Sequence, residues 1–244
     1  MLLDSFETKQ LILAEFLKLA AFDRWSNEAL SKALAKAGVS ENFSELIFEN
    51  GLLDIADFYI KSQNEKALEK IENIEHFHSK KIRDKIRLAL YARFEVEEEN
   101  KLVLQRLMNF YIDPKNFASL KNGPKPLLQG LSTCYKIADA IWVAINDQST
   151  DFNFYTKRLT LAKIILRSLL VFVKDETLNF EKTKKFIDLE IEKVMNFEKL
   201  KGRFKKFSSG AQKTFCEFIL DEKGSPKSPK ELLKNLPFIR LIKF

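Results

Sequence analysis

Few side chains in this sequence combine the type and the spacing that catalysis needs. His78 forms one Glu-x-x-His unit with Glu75, the unit from which di-iron carboxylate sites are built. Such a site needs two of these units, but at the same spacing the second histidine, His76, follows Asn73 instead of a carboxylate. The ligand count disfavours a di-iron hydroxylase, and the two histidines are predicted to lie in a polar loop.

Other catalytic motifs are also missing from the sequence. It contains no Gly-rich phosphate loop, no Gly-x-Ser-x-Gly elbow and no His-Glu-x-x-His. Cys134 lies on an apolar helical face and is predicted to be a small core residue rather than a nucleophile. Asp147 and Asp151 could act as an acid and base pair only inside a cleft. We therefore expect a protein that is not an enzyme and that uses no metal and no cofactor.

The densest polar cluster, residues 146–158, interrupts two apolar runs, 128–145 and 161–172, whose apolar residues recur at helical spacing. Asp and Ser side chains bond their own backbone in turns and cap helices, so the cluster is predicted to end one helix and begin the next. A capped turn alone does not explain two aromatic residues beside two cations within the cluster. That mixture is typical of interaction surfaces.

The cluster, together with Trp142 before it, resembles the signature of the Coq-nine family, accessory proteins of ubiquinone (coenzyme Q) biosynthesis. That signature reads approximately D-x-x-W-x-x-x-G-D-x-S-x-D-x-N-x-Y-x-x-R. The sequence departs from it at Asn146, where the family usually has glycine, and at Phe154, where tryptophan or tyrosine is common. A looser resemblance runs from about Thr8 to about Met195. The matching residues are Asp139, Trp142, Asp147, Ser149, Asp151, Asn153, Tyr155 and Arg158.

The resemblance implies an all-α, TetR-like bundle that binds an isoprenoid lipid, a ubiquinone intermediate, and presents it to the hydroxylase acting on demethoxyubiquinone. The signature surface would dock that hydroxylase. Asp147, Ser149, Asp151 and Asn153 are expected to order the turn. The partner-facing patch would then consist of Phe154, Tyr155, Lys157 and Arg158. The signature assigns no residue to the lipid pocket, and a homodimer is one of the open oligomeric states.

Helical periodicity predicts about nine to ten helices and no sheet. Ser26 and Gly38 are predicted to bound a second helix, and Ser40 to begin a short third one. These elements form a helix-turn-helix-like region, predicted over residues 1–72. A lipid-binding and partner-binding body over 73–221, a linker over 222–229 and an amphipathic segment over 230–244 complete the predicted organisation.

A TetR-like transcriptional regulator is the alternative function, since such proteins begin with a helix-turn-helix. Between Trp25 and Ile60, however, the sequence has two basic and six acidic residues. Binding to duplex DNA depends on Lys and Arg that neutralise phosphates. The charge of this region therefore argues against a nucleic-acid partner.

The basic character of the chain belongs to its last part. Residues 198–244 contain twelve Lys and Arg against five Asp and Glu, and this difference equals the formal charge of +7 of the whole chain. The segment 230–244 corresponds in position to the helix that docks Coq-nine proteins on the bilayer. It is predicted to make peripheral contact with anionic membrane. The predicted membrane-binding residues are Leu232, Leu233, Leu236, Phe238, Ile239, Arg240, Leu241, Ile242, Lys243 and Phe244.

The prediction of a cellular location rests on three features that the sequence lacks. Two cysteines are too few for a disulfide framework, and the residues after Met1 do not form a signal peptide. No run of about 20 apolar residues is present to span a membrane. These observations predict a cytoplasmic protein that lies peripherally on the inner membrane of a bacterium.

Overall fold

A computed structural model describes residues 5–117 and 125–203, and within these ranges the regular structure is entirely helical. The chain forms an all-α bundle, consistent with the TetR-like architecture that the resemblance implies. The helices are α1 (Ser5–Asp23), α2 (Asn27–Ala37), α3 (Glu41–Ile47), α4 (Leu52–Glu72), α5 (Ile82–Glu97), α6 (Lys101–Ile112), α7 (Lys125–Ala144), α8 (Asp151–Phe172) and α9 (Glu181–Arg203).

Local sequence signals set the helix-turn-helix-like region. The Ser26 hydroxyl accepts a hydrogen bond from the backbone N–H of Ala29 (3.2 Å), and the Ser40 hydroxyl accepts one from Phe43 (3.3 Å). Gly38 ends α2 in the left-handed conformation, with φ 67°. A residue with a Cβ is disfavoured there, which is why glycine is common at this position. The predicted starts of α2 and α3 are therefore confirmed.

Short 3₁₀ turns join several of the helices. One of them, Phe77–Ser79, contains His78 and precedes α5. Helix α5 begins at Ile82, after this turn. Residues 204–244, which include the predicted linker and the predicted membrane-docking segment, lie outside the described residues.

One continuous apolar core joins the front helices to the body. In the front, Phe16 of α1 meets the Trp25 indole edge-on, with ring centroids 4.8 Å apart. In the body, Phe172 packs between Phe94 and Phe180, at 5.0 and 5.6 Å. Cys134 is buried in this core as predicted, and burial raises the pKa of its thiol to about 12. At neutral pH the thiol therefore stays protonated, which suits a packing role rather than a nucleophilic one.

A buried polar network fixes α4 against α5. The Glu97 carboxylate is fully buried, and it accepts a short hydrogen bond from the Tyr59 hydroxyl and pairs with Arg93 at 2.6 Å. Arg93 also donates to the side chain of Asn64 at 3.0 Å. Buried charges persist only when they are paired and hydrogen-bonded. The network therefore specifies how the two helices align and, through Tyr59, how the front region sits on the body.

Candidate functional site

The signature turn, residues 139–158, connects α7 to α8 and is built from the end of α7 onward. The backbone N–H of Asn146 donates to the carbonyl of Val143 (2.9 Å), and that of Asp147 donates to the carbonyl of Trp142 (3.1 Å). These two bonds form a Schellman motif, which satisfies carbonyls that the helix end would otherwise leave without partners. The turn is thus anchored directly to the backbone of Trp142.

Asn146 explains one departure from the family signature. Its backbone is left-handed, with φ 62°, the conformation that a Schellman motif requires after the last helical residue. Glycine adopts it without steric cost, and asparagine is among the few other residues that tolerate it. Its side chain also accepts a hydrogen bond from Gln148 at 2.7 Å. Asn146 can therefore take the place of the family's glycine with the turn intact.

Asp147 is the centre of the turn. Its carboxylate accepts hydrogen bonds from Lys157 at 2.7 Å and from the Ser149 hydroxyl, and it lies 3.5 Å from the Arg158 guanidinium. Burial alone would raise the pKa of this carboxyl, but the hydrogen bonds from Lys157 and Ser149 outweigh it and lower the pKa below the ordinary 3.8. The carboxylate stays ionised at neutral pH and ties the start of α8 to the end of α7. It does not resemble a general acid or base.

Arg158 is buried, with 2% of the residue exposed. It therefore does not lie on the partner-facing surface to which it was predicted to belong. Its guanidinium donates to Asp139 at 2.5 Å and to the backbone carbonyl of Phe154 at 3.2 Å. It also stacks on the Phe154 ring, 3.3 Å from the centroid. Arg158 thus joins α7 to α8 from within, and its assignment to the partner-facing patch is corrected to a structural role.

The other predicted patch residues are partly accessible. Phe154, Tyr155 and Lys157 are each half-buried. The rings of Phe154 and Tyr155 meet edge-on, 5.1 Å apart, and the Lys157 ammonium lies 5.1 Å above the Trp142 ring. Phe154, Tyr155 and Lys157 therefore form a partly accessible aromatic and cationic surface at the start of α8, and Trp142 lies buried beneath Lys157. It remains a prediction that this surface binds a partner.

The residues predicted to order the turn have separate positions. Ser149 is held by Asp147, and Asn153 is exposed at the start of α8. Thr150 is the N-cap residue of α8, but its side chain makes no capping hydrogen bond. The side chain of Asp151 lies outside the described part of the structure. Among the described side chains of this group, Asp147 and Ser149 therefore order the turn.

Two residues of the site were not assigned a role from the sequence. Asp139 matched the signature, but only the fold shows that it pairs with Arg158, nineteen positions away. Val143 carries no motif, yet it is 66% exposed on α7 beside the turn. No sequence signal distinguished it from the apolar residues that α7 buries, because only the fold shows which face of α7 is exposed to solvent. Val143 thus presents an exposed aliphatic side chain at the end of α7.

Two of the surface cavities lined by described residues lie away from the signature turn. One is a groove of about 610 Å³ formed mainly by α4 with parts of α1, α3 and α7. The other, about 590 Å³, is polar and is lined by residues that include Glu95, Glu99 and Lys184. Within the described part of the chain, no group of His, Cys, Asp and Glu is arranged to hold a metal ion. No described helix has the length and apolarity needed to cross a membrane.

Comparison with known proteins connects the signature turn to a family. The COQ9 family model matches residues 127–198, which include most of α7 and all of α8. The chain is similar to a probable ubiquinone biosynthesis protein coq9, mitochondrial, of Dictyostelium discoideum. They share 23% identity over 218 residues, which cover 87% of this chain and 68% of the relative.

Mammalian relatives give similar matches. Ubiquinone biosynthesis protein COQ9, mitochondrial, of Bos taurus is 25% identical over 185 residues, covering 76% of this chain and 56% of the relative. The Homo sapiens protein of the same name is 25% identical over 185 residues, covering 76% of this chain and 57% of the relative. The matches thus span little more than half the length of these two proteins.

The fold and the site together define a class of protein: an all-helical bundle whose α7–α8 turn carries this signature. The comparisons confirm the resemblance to the COQ9 family that the signature indicated.

The predicted location is wrong. The Dictyostelium, bovine, human and fission yeast relatives are all eukaryotic proteins named as mitochondrial. Their names point to a mitochondrial location and not to the cytoplasmic face of a bacterial inner membrane. The small number of cysteines, on which the prediction relied, does not distinguish these two compartments.

Proposed function

We propose that this chain is a non-catalytic accessory protein of ubiquinone biosynthesis. It binds an isoprenoid quinone intermediate at a membrane and presents it to the hydroxylase that acts on demethoxyubiquinone. The observation that carries the proposal is the signature turn, which keeps the signature residues apart from the departures at Asn146 and Phe154 and forms one connected network around Asp147. The names of the relatives, all ubiquinone biosynthesis proteins, support the same pathway.

The physical need for such a protein follows from the substrate. A quinone with a long prenyl tail exposes a large apolar area, which is costly in water. Leaving the bilayer therefore requires a replacement apolar lining, and a helical bundle with a large apolar core is suited to supply one. Segment 230–244 supplies the proposed contact with the anionic bilayer, through apolar side chains and the cations Arg240 and Lys243.

The docking surface for the hydroxylase is the accessible part of the signature turn. Phe154 and Tyr155 offer half-buried aromatic rings at the start of α8, and Val143 offers an exposed aliphatic side chain at the end of α7. Lys157 adds a positive charge already oriented by Asp147. Aromatic residues held in place by their own structure lose little entropy on binding, which is why they often dominate interfaces.

The regulator alternative is not favoured. The helix in the position of a recognition helix, α3, contains Glu41 and Glu45 and no Lys or Arg. Carboxylates on this helix would face DNA phosphates of the same sign, whereas duplex binding depends on neutralising them.

The docking proposal predicts a separation of binding from folding. Changing Val143 and Tyr155 together to Asp places two charges on the proposed interface but leaves the stack of Arg158 on Phe154 in place. We expect the affinity for the purified hydroxylase to fall at least tenfold, because the charges lose water without gaining partners. Binding is measured by surface plasmon resonance, and stability by thermal unfolding.

The matched control changes Phe22 and Leu178 to Asp. Both residues are 82% exposed and lie away from the signature turn. This variant should bind the hydroxylase as the wild type does. Equal affinity for the hydroxylase in the wild type and the Val143/Tyr155 variant, with both variants folded, would contradict the proposed docking surface.

A further inference from the structure

Helices α8 and α9 present an outer face whose exposed side chains are mostly basic. Along each helix these side chains recur three or four positions apart, which places them on one side of the helix. On α8 and directly after it they are Lys163, Arg167, Leu170 and Lys174. On α9 they are Lys182, Lys185, Leu189 and Lys193. We call these residues the α8–α9 face, and the proposed function does not use it.

Arg167 joins the two helices into one surface. Its guanidinium forms a short ion pair with Glu190 of α9 and lies 5.5 Å from the centre of the Phe186 ring. The buried Glu190 also pairs with Lys193 at 2.7 Å. The outer sides of α8 and α9 therefore meet at Arg167 and form one continuous surface.

Half of the cations on this surface are not neutralised. Lys163, Lys174 and Lys182 form no ion pair with any carboxylate of the described residues. Lys185 pairs with Glu181 at 3.3 Å, and Glu176 is exposed in the link between the two helices. Together with Glu190, these make three carboxylates against the six cations of the α8–α9 face.

The other acidic residues of α9 that lie near its exposed side pair with α5. Asp188 pairs with Arg87 at 2.6 Å, and Glu192 pairs with Arg83 at 3.1 Å. These two carboxylates are therefore neutralised at the opposite edge of α9. They do not offset the positive charge of the α8–α9 face.

The basic face belongs to a body that has no net charge. Of the 41 Lys and Arg and the 34 Asp and Glu of the chain, residues 1–197 contain 29 of each. An acidic excess lies at the front, where α3 exposes Glu41 and Glu45 and contains no cation. An anionic surface therefore attracts one side of the bundle and repels another, so it orients the molecule.

We propose that the α8–α9 face rests on an anionic phospholipid bilayer. Its cations contact lipid phosphates, and Leu170 and Leu189 enter the headgroup region. The inference rests on the proposed function, because it adds a second contact to the membrane contact made by residues 230–244. Helix α8 then lies along the bilayer, and the signature turn at its start is held close to the membrane.

Composition and chain continuity favour a bilayer as the occupant. Leu170 and Leu189 are 52% and 59% exposed among unpaired cations, and basic surfaces with exposed apolar side chains adsorb to anionic lipid. Helix α9 ends at Arg203 and leads directly into the basic last part of the chain, so both contacts can reach one surface. A second copy is disfavoured, because a symmetric pair through this face would place its cations against the same cations.

Vesicle sedimentation of the full chain tests the charge contribution. Changing Lys163, Lys174 and Lys182 together to Gln should lower the partition coefficient on phosphatidylglycerol-containing vesicles at least tenfold, because each cation near an anionic surface adds to the attraction. The matched control changes Lys36, Lys66 and Lys115 to Gln. These three exposed lysines lie on other elements and remove the same charge, so the control should change partitioning less than about twofold.

Fluorescence tests whether the apolar part of the face enters the bilayer. Both native tryptophans are buried, so the variant Leu189→Trp adds one exposed indole. Vesicles of phosphatidylglycerol with brominated acyl chains should quench about half of the added emission. The control variant Leu46→Trp places an equally exposed indole on the acidic helix α3, and its added emission should stay unquenched.

The outcomes separate this face from the proposed membrane contact of residues 230–244. Equal partitioning of the two lysine variants, or unquenched emission from Leu189→Trp, would overturn the α8–α9 face, while sedimentation of the wild type would leave the other contact standing. A wild type that does not sediment with phosphatidylglycerol vesicles would overturn both.

Two further results would assign the face to another occupant and overturn the proposal. A blue shift of the Leu189→Trp emission that grows with protein concentration, in the absence of vesicles, would indicate a second copy. Loss of hydroxylase affinity in the Lys163/Lys174/Lys182 variant, with unchanged partitioning on vesicles, would indicate a protein partner.

Discussion

At the scale of single residues, the signature turn combines structure and surface in one stretch of sequence. Arg158 and Asp147 are buried parts of an ionic network, whereas Phe154 and Tyr155 are partly accessible. From the sequence, a cation beside two aromatic rings predicts an interaction surface. The sequence could not predict that the Arg158 guanidinium is buried, because its partner Asp139 lies near it only when α7 packs on α8.

The buried position of Arg158 predicts a stability effect. Changing Arg158 to Leu leaves the buried carboxylate of Asp147 without one of its cations and removes the hydrogen bond to Asp139. We expect a loss of about 2 kcal/mol in the free energy of unfolding, because the variant removes several hydrogen bonds that a buried, charged guanidinium donates. Urea denaturation followed by circular dichroism measures it.

Two further variants test whether the guanidinium of Arg158 accounts for this loss of stability. Arg158→Lys should recover less than half of the loss, because an ammonium cannot donate to several acceptors in the fixed directions of a guanidinium. Lys174→Met, which removes an exposed cation at the end of α8, should change stability by less than about 0.5 kcal/mol. A loss below about 1 kcal/mol for Arg158→Leu would show that the network contributes little.

At the scale of elements, local signals predicted most helix boundaries, and tertiary contacts decided the remainder. Ser26, Gly38 and Ser40 act on their own neighbours in sequence, so the ends of α2 and α3 could be predicted. The connection between α8 and α9 was not predicted. It depends on Asp175, a buried residue whose carboxylate accepts hydrogen bonds from the backbone and side chains of Thr177 and Thr183.

Asp175 predicts how stability changes with pH. Burial would raise the pKa of its carboxyl, but the hydrogen bonds from Thr177 and Thr183 lower it from 3.8 to about 2. A carboxyl with a lowered pKa in the folded state stabilises that state above its unfolded pKa, and this stabilisation is lost as the pH falls through the folded pKa. The contribution is about 2 kcal/mol at neutral pH.

The variant Asp175→Asn should therefore be less stable than the wild type by about 2 kcal/mol at pH 7. The difference should shrink as the pH falls from about 4 to about 2, where the wild-type carboxyl also becomes neutral. Urea denaturation of both proteins across this range measures the difference. A stability gap that stays constant with pH would show that the ionised form of Asp175 is not what holds the start of α9.

At the scale of the whole molecule, the sequence identified the fold class and the family signature but not the compartment. Helical periodicity and a scarcity of glycine and proline suffice to predict an all-helical bundle. The distribution of charge, acidic at the front and basic after Glu198, also follows from the sequence. What the sequence alone could not show is which charges meet, and the Asp147 network depends on that.

The central claim is that the chain carries an isoprenoid quinone intermediate. Native mass spectrometry of the full-length protein, purified without detergent from cells that make ubiquinone, tests it most directly. The account predicts a protein ion with one added mass that, on activation, releases an isoprenoid quinone or its precursor. A protein that carries no isoprenoid after such a preparation, and acquires none from vesicles loaded with demethoxyubiquinone, would contradict the account.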